Sequence, residues 1–161
     1  QFNHAYCQMA FCGPSRASFM TSLYPDQTLV KGNQQYVRTH IPQVVTFSQA
    51  FRNAGYFAAR IGKIYHYDVP RDIGTGGYDD PHSWNQTINP RGRDMDDGHL
   101  IRNIFRIPGH QPLSGLAADG QDHEQTDGIA AAEAVELLER FARQDKPFFV
   151  HFNLGFHKLL I

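Results

Sequence analysis

Thr46-Phe47-Ser48-Gln49-Ala50-Phe51-Arg52-Asn53-Ala54-Gly55-Tyr56-Phe57-Ala58-Ala59-Arg60-Ile61-Gly62 is the stretch whose reading decides the fold class. Thr46 and Gln49 stand at the spacing of a capping box. Phe47, Ala50, Phe51 and Ala54 follow at i, i+3, i+4 and i+7, which predicts a helix with these four residues turned inward. Gly55 supplies the C-terminal stop. Tyr56 to Ile61 then reads as a buried strand, because it is a short, mostly apolar run bounded by Gly55 and Gly62. A helix passed directly to a strand is the unit from which α/β layers are built.

The same passage recurs downstream. A helix is predicted from about Asp122 to Arg143, with Ala134, Leu137, Leu138 and Phe141 as the buried stripe and Glu133, Glu136, Glu139 and Arg140 on the wet side. Asp145-Lys146-Pro147 breaks it. Phe148 to Leu154 reads as a second strand, apolar except for His151 and Asn153, and it delivers Gly155, Phe156, His157 and Lys158 at its exit. His151, flanked by Val150 and Phe152, is assigned to packing. Two helix-to-strand passages predict an α/β fold with a mostly parallel sheet and flanking helices. Upstream, Gly13-Pro14 opens a third helix whose apolar residues are Phe19, Met20 and Leu23, and Tyr24-Pro25-Asp26 ends it. Cys12 is expected just before that helix, where unpaired amides and the macrodipole favour negative charge.

Between these units, from Tyr67 to about Asp119, periodicity gives way to Gly74-Thr75-Gly76-Gly77, Asn89-Pro90-Arg91-Gly92 and Met95-Asp96-Asp97-Gly98, which reads as a turn-rich insertion within one domain of 161 residues. Fifteen basic and sixteen acidic residues leave a net charge of −1, so the chain lacks the basic excess of a nucleic-acid binder. At 41% hydrophobic it can build a core, and no apolar run is long enough to span a membrane. The chain opens on Gln1 and reaches Ile161 soon after a core strand, so both ends read as cut and the compartment stays open. Cys7 and Cys12 are too few and too close for a disulfide framework.

Ligand sites of open α/β sheets gather beyond the carboxyl ends of strands. Three segments converge there: Cys12 to Arg16, Gly62-Lys63-Ile64-Tyr65-His66, and His157-Lys158. Together they offer a cysteine, an arginine, lysines and histidines, the composition of a pocket for a tetrahedral oxyanion such as sulfate or phosphate. Taken singly, a cysteine is more often a small buried hydrophobe and an arginine or lysine a solvated charge. Three residues between Cys12 and Arg16 are too few for a cysteine-dependent phosphatase loop. A zinc site lacks a second close ligand pair. A Cys-His hydrolase with His66 as base stays open.

The run Cys12-Gly13-Pro14-Ser15-Arg16 resembles the sulfatase motif Cys-x-Pro-Ser-Arg, continued here as Ala17-Ser18-Phe19-Met20-Thr21. Gly55-Tyr56 with Gly62-Lys63-Ile64-Tyr65-His66 is similar to the family's second motif. Ala5-Tyr6-Cys7-Gln8, Asp79-Asp80-Pro81-His82-Ser83-Trp84 and Pro147-Phe148-Phe149 leading to Gly155-Phe156-His157-Lys158 resemble the iduronate-2-sulfatase-like branch. The resemblance covers nearly the whole chain. It implies a partial sulfatase fold of the alkaline-phosphatase-like superfamily, forming the N-terminal part of the catalytic domain. The implied activity is hydrolysis of sulfate esters on sulfated sugars or glycosaminoglycans.

The same resemblance implies roles for individual residues. Cys12 would be oxidised to formylglycine by a formylglycine-generating enzyme, and its hydrate would be the nucleophile and a ligand of one Ca²⁺ ion. Arg16 would stabilise the ionised hydrate, Lys63 would bind sulfate, and His66 would contact the hydrate. His157 and Lys158 match the first half of His-Lys-Pro-His and would lie on the substrate side, although this chain continues Leu159-Leu160-Ile161. The remaining calcium ligands of the family fall upstream and downstream of this segment, so the segment alone is expected to be inactive. A periplasmic, secreted or lysosomal setting is what the family implies. Two other readings carry the same pocket: a truncated relative that binds sulfated ligands without turnover, and a phosphatase or phosphonate hydrolase of the same superfamily.

Overall fold

The computed structural model describes residues 1, 3–105, 113–115 and 119–153. Its centre is β1 (Phe57–Gly62), paired in parallel on one side with β2 (Gln86–Ile88) and on the other with β5 (Phe148–Asn153). In register, Phe57 faces Phe148, Arg60 faces His151 and Gly62 faces Asn153. The expected mostly parallel α/β sheet is therefore present, with both predicted strands in it.

Side chains alternate across β1, and each face builds its own core. Ala58 packs with Ala17, Met20, Val30, Val37, Ile64, Tyr65 and Trp84. Ala59 and Ile61 pack with Ala130, Ala134, Leu137 and Phe141. The first face is covered by α1 (Cys12–Thr21), the short α2 (Pro25–Thr28) and α3 (Phe47–Asn53). Beyond β2 come α4 (Arg93–Asp96) and a small antiparallel pair, β3 (Arg102–Phe105) with β4 (Leu113–Gly115). The opposite face of the sheet is covered by α5 (Thr126–Ala142). Burying Leu137 and Phe141 removes large apolar side chains from water, each worth roughly 2–3 kcal/mol relative to exposure.

Several local expectations shift. The first helix starts one residue early, so Cys12 is its first residue rather than its predecessor. Within it Met20 is buried but Phe19 is 60% exposed, because residues 17, 20 and 21 turn to the sheet instead. The helix at 47–53 takes its cap as read, with Thr46 accepting from the Gln49 amide, but the Gln49 side chain accepts from Arg38 rather than closing the box. Its predicted inward face is largely outward: Phe47, Ala50 and Ala54 are exposed, and Phe51 is half-buried, stacked on Phe149 with ring centres 4.5 Å apart. The long helix is divided, a 3-10 turn at Asp122–Glu124 preceding α5, and Leu138 is exposed because Ala130 completes the stripe in its place. The turn-rich stretch also contains core structure. It carries β2, the buried Tyr67, Ile73 and Trp84, and two acids tied to arginines from earlier elements.

Candidate active site

Two glycines set the geometry at the carboxyl end of the sheet. Gly62 ends β1 at φ +76°, and a Cβ there would come within 2.4 Å of the Asn153 carbonyl oxygen of the paired strand. Any other residue would push β5 away from the turn that carries Lys63 and Ile64. Gly13 lies against the Gly32 carbonyl, where a Cβ would stand 2.4 Å from the oxygen, and its amide donates to Asn33 Oδ1 at 2.8 Å. That contact seats the first turn of α1 and leaves Cys12 exposed beside it.

Arg16 follows one turn later on the same helix. Its Nη1 donates to the backbone carbonyls of Lys63 (2.9 Å) and Ile64 (2.7 Å), which joins α1 to the exit of β1. Two of its five N–H donors are thereby used, and among the described residues no carboxylate pairs with it. Burial lowers its pKa from the ordinary value. A guanidinium held in place, partly dehydrated and without a counter-ion is a site for an anion.

Cys12 and Arg16 both line a cleft of about 1150 Å³, whose wall also includes Ser15, Ser18, Phe19, Asn33 and Ile64. Lys63 and His66 do not line it. The Lys63 ammonium lies 5.0 Å from the centre of the Tyr67 ring. His66 is buried, with Nε2 3.0 Å from Asp68 Oδ1, and its Nδ1 has no partner among the described residues. Burial lowers the His66 pKa. Lys63 and Arg16 push the same way and Asp68 opposes them. Arg16 is thus the link between the cysteine and the residues after β1. His157 and Lys158 lie outside the described residues.

The cleft also holds two residues from β5, His151 and Asn153. The apolar residues on either side of His151 in the sequence give it the look of a packing residue. Strand alternation places those neighbours on the other face, where Val150 joins the α5 core and Phe152 is exposed, while Phe149 joins the α1 side, the side of His151. The alternation itself is the signal that could have found it.

Calcium needs about six to eight oxygen ligands. Among the described residues no three His, Cys, Asp or Glu side chains gather as a metal site requires. These residues do not by themselves form a calcium site, and no chemical step is derived through the ion.

Residues 1–155 match the Sulfatase family. The chain belongs to the sulfatase family. It is 30% identical to iduronate 2-sulfatase of Mus musculus over 166 residues, covering 98% of this chain and 28% of that protein, so it spans less than a third of the relative's length. Its fold matches the crystal structure of the phosphonate monoester hydrolase of Agrobacterium radiobacter (TM-score 0.57, 23% identity, 91% of this chain and 31% of the other). It also matches that of Ps i-CgsB in complex with k-i-k-neocarrahexaose (TM-score 0.55, 16% identity, 95% and 36%). The sheet and its flanking helices are therefore a portion of the alkaline-phosphatase-like fold. In this member of the family, no helix among the described residues is long and apolar enough to cross a membrane.

Proposed function

We propose that the protein of which this sulfatase chain is a part hydrolyses sulfate esters of sulfated sugars, glycosaminoglycans among them, with residue 12 as the nucleophilic position. The observation that carries this reading is the placing of Cys12 and an Arg16 without a counter-ion in one cleft, on successive turns of α1. Residue 12, if converted to formylglycine by a formylglycine-generating enzyme, would supply a nucleophilic hydroxyl for attack on sulfur, and Arg16 one turn along the helix would hold the sulfate group beside it.

The chain's own residues have separable tasks in this scheme. Arg16 holds the anion with donors fixed before substrate arrives, so little reorganisation is needed as charge moves. Lys63, set by Gly62 at the end of β1, adds positive charge for the sulfate. His66, held by Asp68 and kept mostly neutral by burial, is assigned by its motif to proton exchange with the hydroxyl at residue 12. His157 and Lys158 are assigned to the substrate side by their motif.

The test is mass spectrometry of the peptide containing residue 12, taken from the full-length protein made in its native cell, with sulfate release from a sulfated disaccharide assayed alongside. Replacement of the thiol by an aldehyde, with turnover of the sulfate and not of the matching phosphate or phosphonate ester, is the expected result. An unmodified thiol in protein that turns over would overturn the formylglycine assignment. Preference for the phosphonate would move the protein to the hydrolase reading.

A further inference from the structure

We propose that His151 is a substrate-contacting residue of the Cys12 cleft, where a ring nitrogen gives a hydrogen bond to the bound sulfate group beside Arg16. This rests on the sulfatase reading above and adds a contact from β5, an element the two sequence motifs do not include.

Placement comes first. His151 lies near the carboxyl end of β5, on the sheet face that packs against α1, and it lines the same cleft as Cys12 and Arg16. Its ring is fixed by edge-on contacts to three aromatic rings: Phe19 at 5.7 Å, Trp84 at 6.2 Å and Phe149 at 6.2 Å. A hydrogen bond from a ring held in this way needs no further ordering when ligand arrives.

The polar inventory of that wall is incomplete. Neither nitrogen of His151 has a hydrogen-bond partner among the described residues, and Nδ1 is enclosed. Ser18, on α1 beside Phe19 and 4% exposed, lines the same cleft, and its hydroxyl is likewise enclosed without a partner. Enclosed polar atoms without partners are uncommon in folded proteins and point to a missing water or ligand. Two of them border the cleft that Arg16 lines; both are closed to solvent, so the nitrogen of His151 left to meet an oxyanion there is Nε2.

The charge state suits the task. Burial, and then the nearby Arg16, lower the His151 pKa below the ordinary imidazole value, so the ring is neutral at pH 7. A neutral imidazole offers one donor and one acceptor. It can donate to sulfate without bringing a second cation against Arg16.

A packing role and a binding role separate in the full chain by comparing His151→Phe, which keeps an aromatic ring, with His151→Gln, which keeps a donor. The probe is inorganic sulfate, titrated calorimetrically, with ¹⁵N spectra of the imidazoles recorded in parallel. Sulfate is expected to shift the ring signals of His151. Affinity should fall about tenfold in His151→Phe and stay within about threefold of the parent in His151→Gln, the size expected for one hydrogen bond to a charged group. Unchanged affinity in His151→Phe, together with a large loss in Arg16→Gln, would overturn the His151 contact and leave the sulfatase reading standing. Absence of any sulfate binding by the full-length parent would overturn the His151 contact, while sulfate release from the disaccharide judges the sulfatase reading separately.

Discussion

Three arginines are held in or near the interior on the α1 side of the sheet, and they are satisfied in two different ways. Arg38 grips Asp80 through two parallel bonds of 2.7 and 2.8 Å, and Arg60, 2% exposed on β1, donates through Nε to Asp79 at 2.6 Å. Asp79 also accepts from Trp84 Nε1, and Asp80 from Ser83, so each carboxylate is tied into its surroundings as well as to its arginine. Arg16 is bonded only to backbone carbonyls. The paired arginines carry no usable charge; the third is structurally anchored yet electrically open. Asp80 raises the pKa of Arg38, whereas burial lowers that of Arg16. An arginine that serves the fold is neutralised, and one that serves a ligand is not.

The largest effect expected from breaking this contrast is on turnover. Arg16→Gln in the full-length protein should lower kcat/KM for a sulfate ester by about 10³-fold, comparable to the removal of one fixed charge-stabilising group. Its unfolding free energy should fall by only about 1 kcal/mol, the scale of the lost carbonyl bonds. A stability loss as large as the catalytic one would place Arg16 with the structural pair.

The reverse pattern is expected for Asp80→Ala. It leaves Arg38 without a counter-ion and should cost about 3 kcal/mol in urea unfolding, near the lower bound for breaking a buried pair because Arg38 is partly exposed. Sulfate affinity should be unchanged. A variant that unfolds like the parent would show that the pair is dispensable to the fold.

Acid titration gives the smallest effect and sharpens the distinction further. Burial alone would raise the Asp80 pKa, but hydrogen bonds from Arg38 and Ser83 outweigh it and the net direction is down. The stability it contributes is present above the ordinary carboxylate value and is lost as pH falls through the lowered one. His66, lowered mainly by burial, acts in a higher window, because the unfolded chain takes up its proton first and stability declines as pH falls below the ordinary imidazole value of about 6.5. His66→Asn should flatten that upper limb and Asp80→Asn the lower one, each followed by thermal melts across pH. Equal effects of both variants in one window would show that the two groups are coupled.

The parts of this arrangement that were legible in the sequence are those with local patterns. The strand at 57–62 and the strand at 148–153 were marked by apolar runs between breakers, and α5 by its stripe. The Cys12 to Arg16 run was legible because its residue types are unusual in combination. What escaped has no local pattern. β2 is three residues long, too short for any period to register, and Asp79-Asp80 looks like turn chemistry until its partners arrive from 19 and 42 residues away. The outward face of α3 misled for a related reason. Phe51 stacks on Phe149 and Phe47 meets both rings edge-on, rather than plugging into a core beneath the helix. His151 was hidden by neighbours that belong to the other side of its strand.

The anchoring of Arg16 also has a consequence in time. Its carbonyl partners lie 47 and 48 residues further along the chain, so a ribosome completes them only after the Cys12 segment has been made. At about 5–20 residues per second, that leaves an interval of roughly 2–10 s in which the cysteine and its flanking residues exist as nascent chain not yet clamped to the end of β1. Until Lys63 and Ile64 arrive, the first turn of α1 lacks its tie to the sheet, and the exposed cysteine is held by local structure alone.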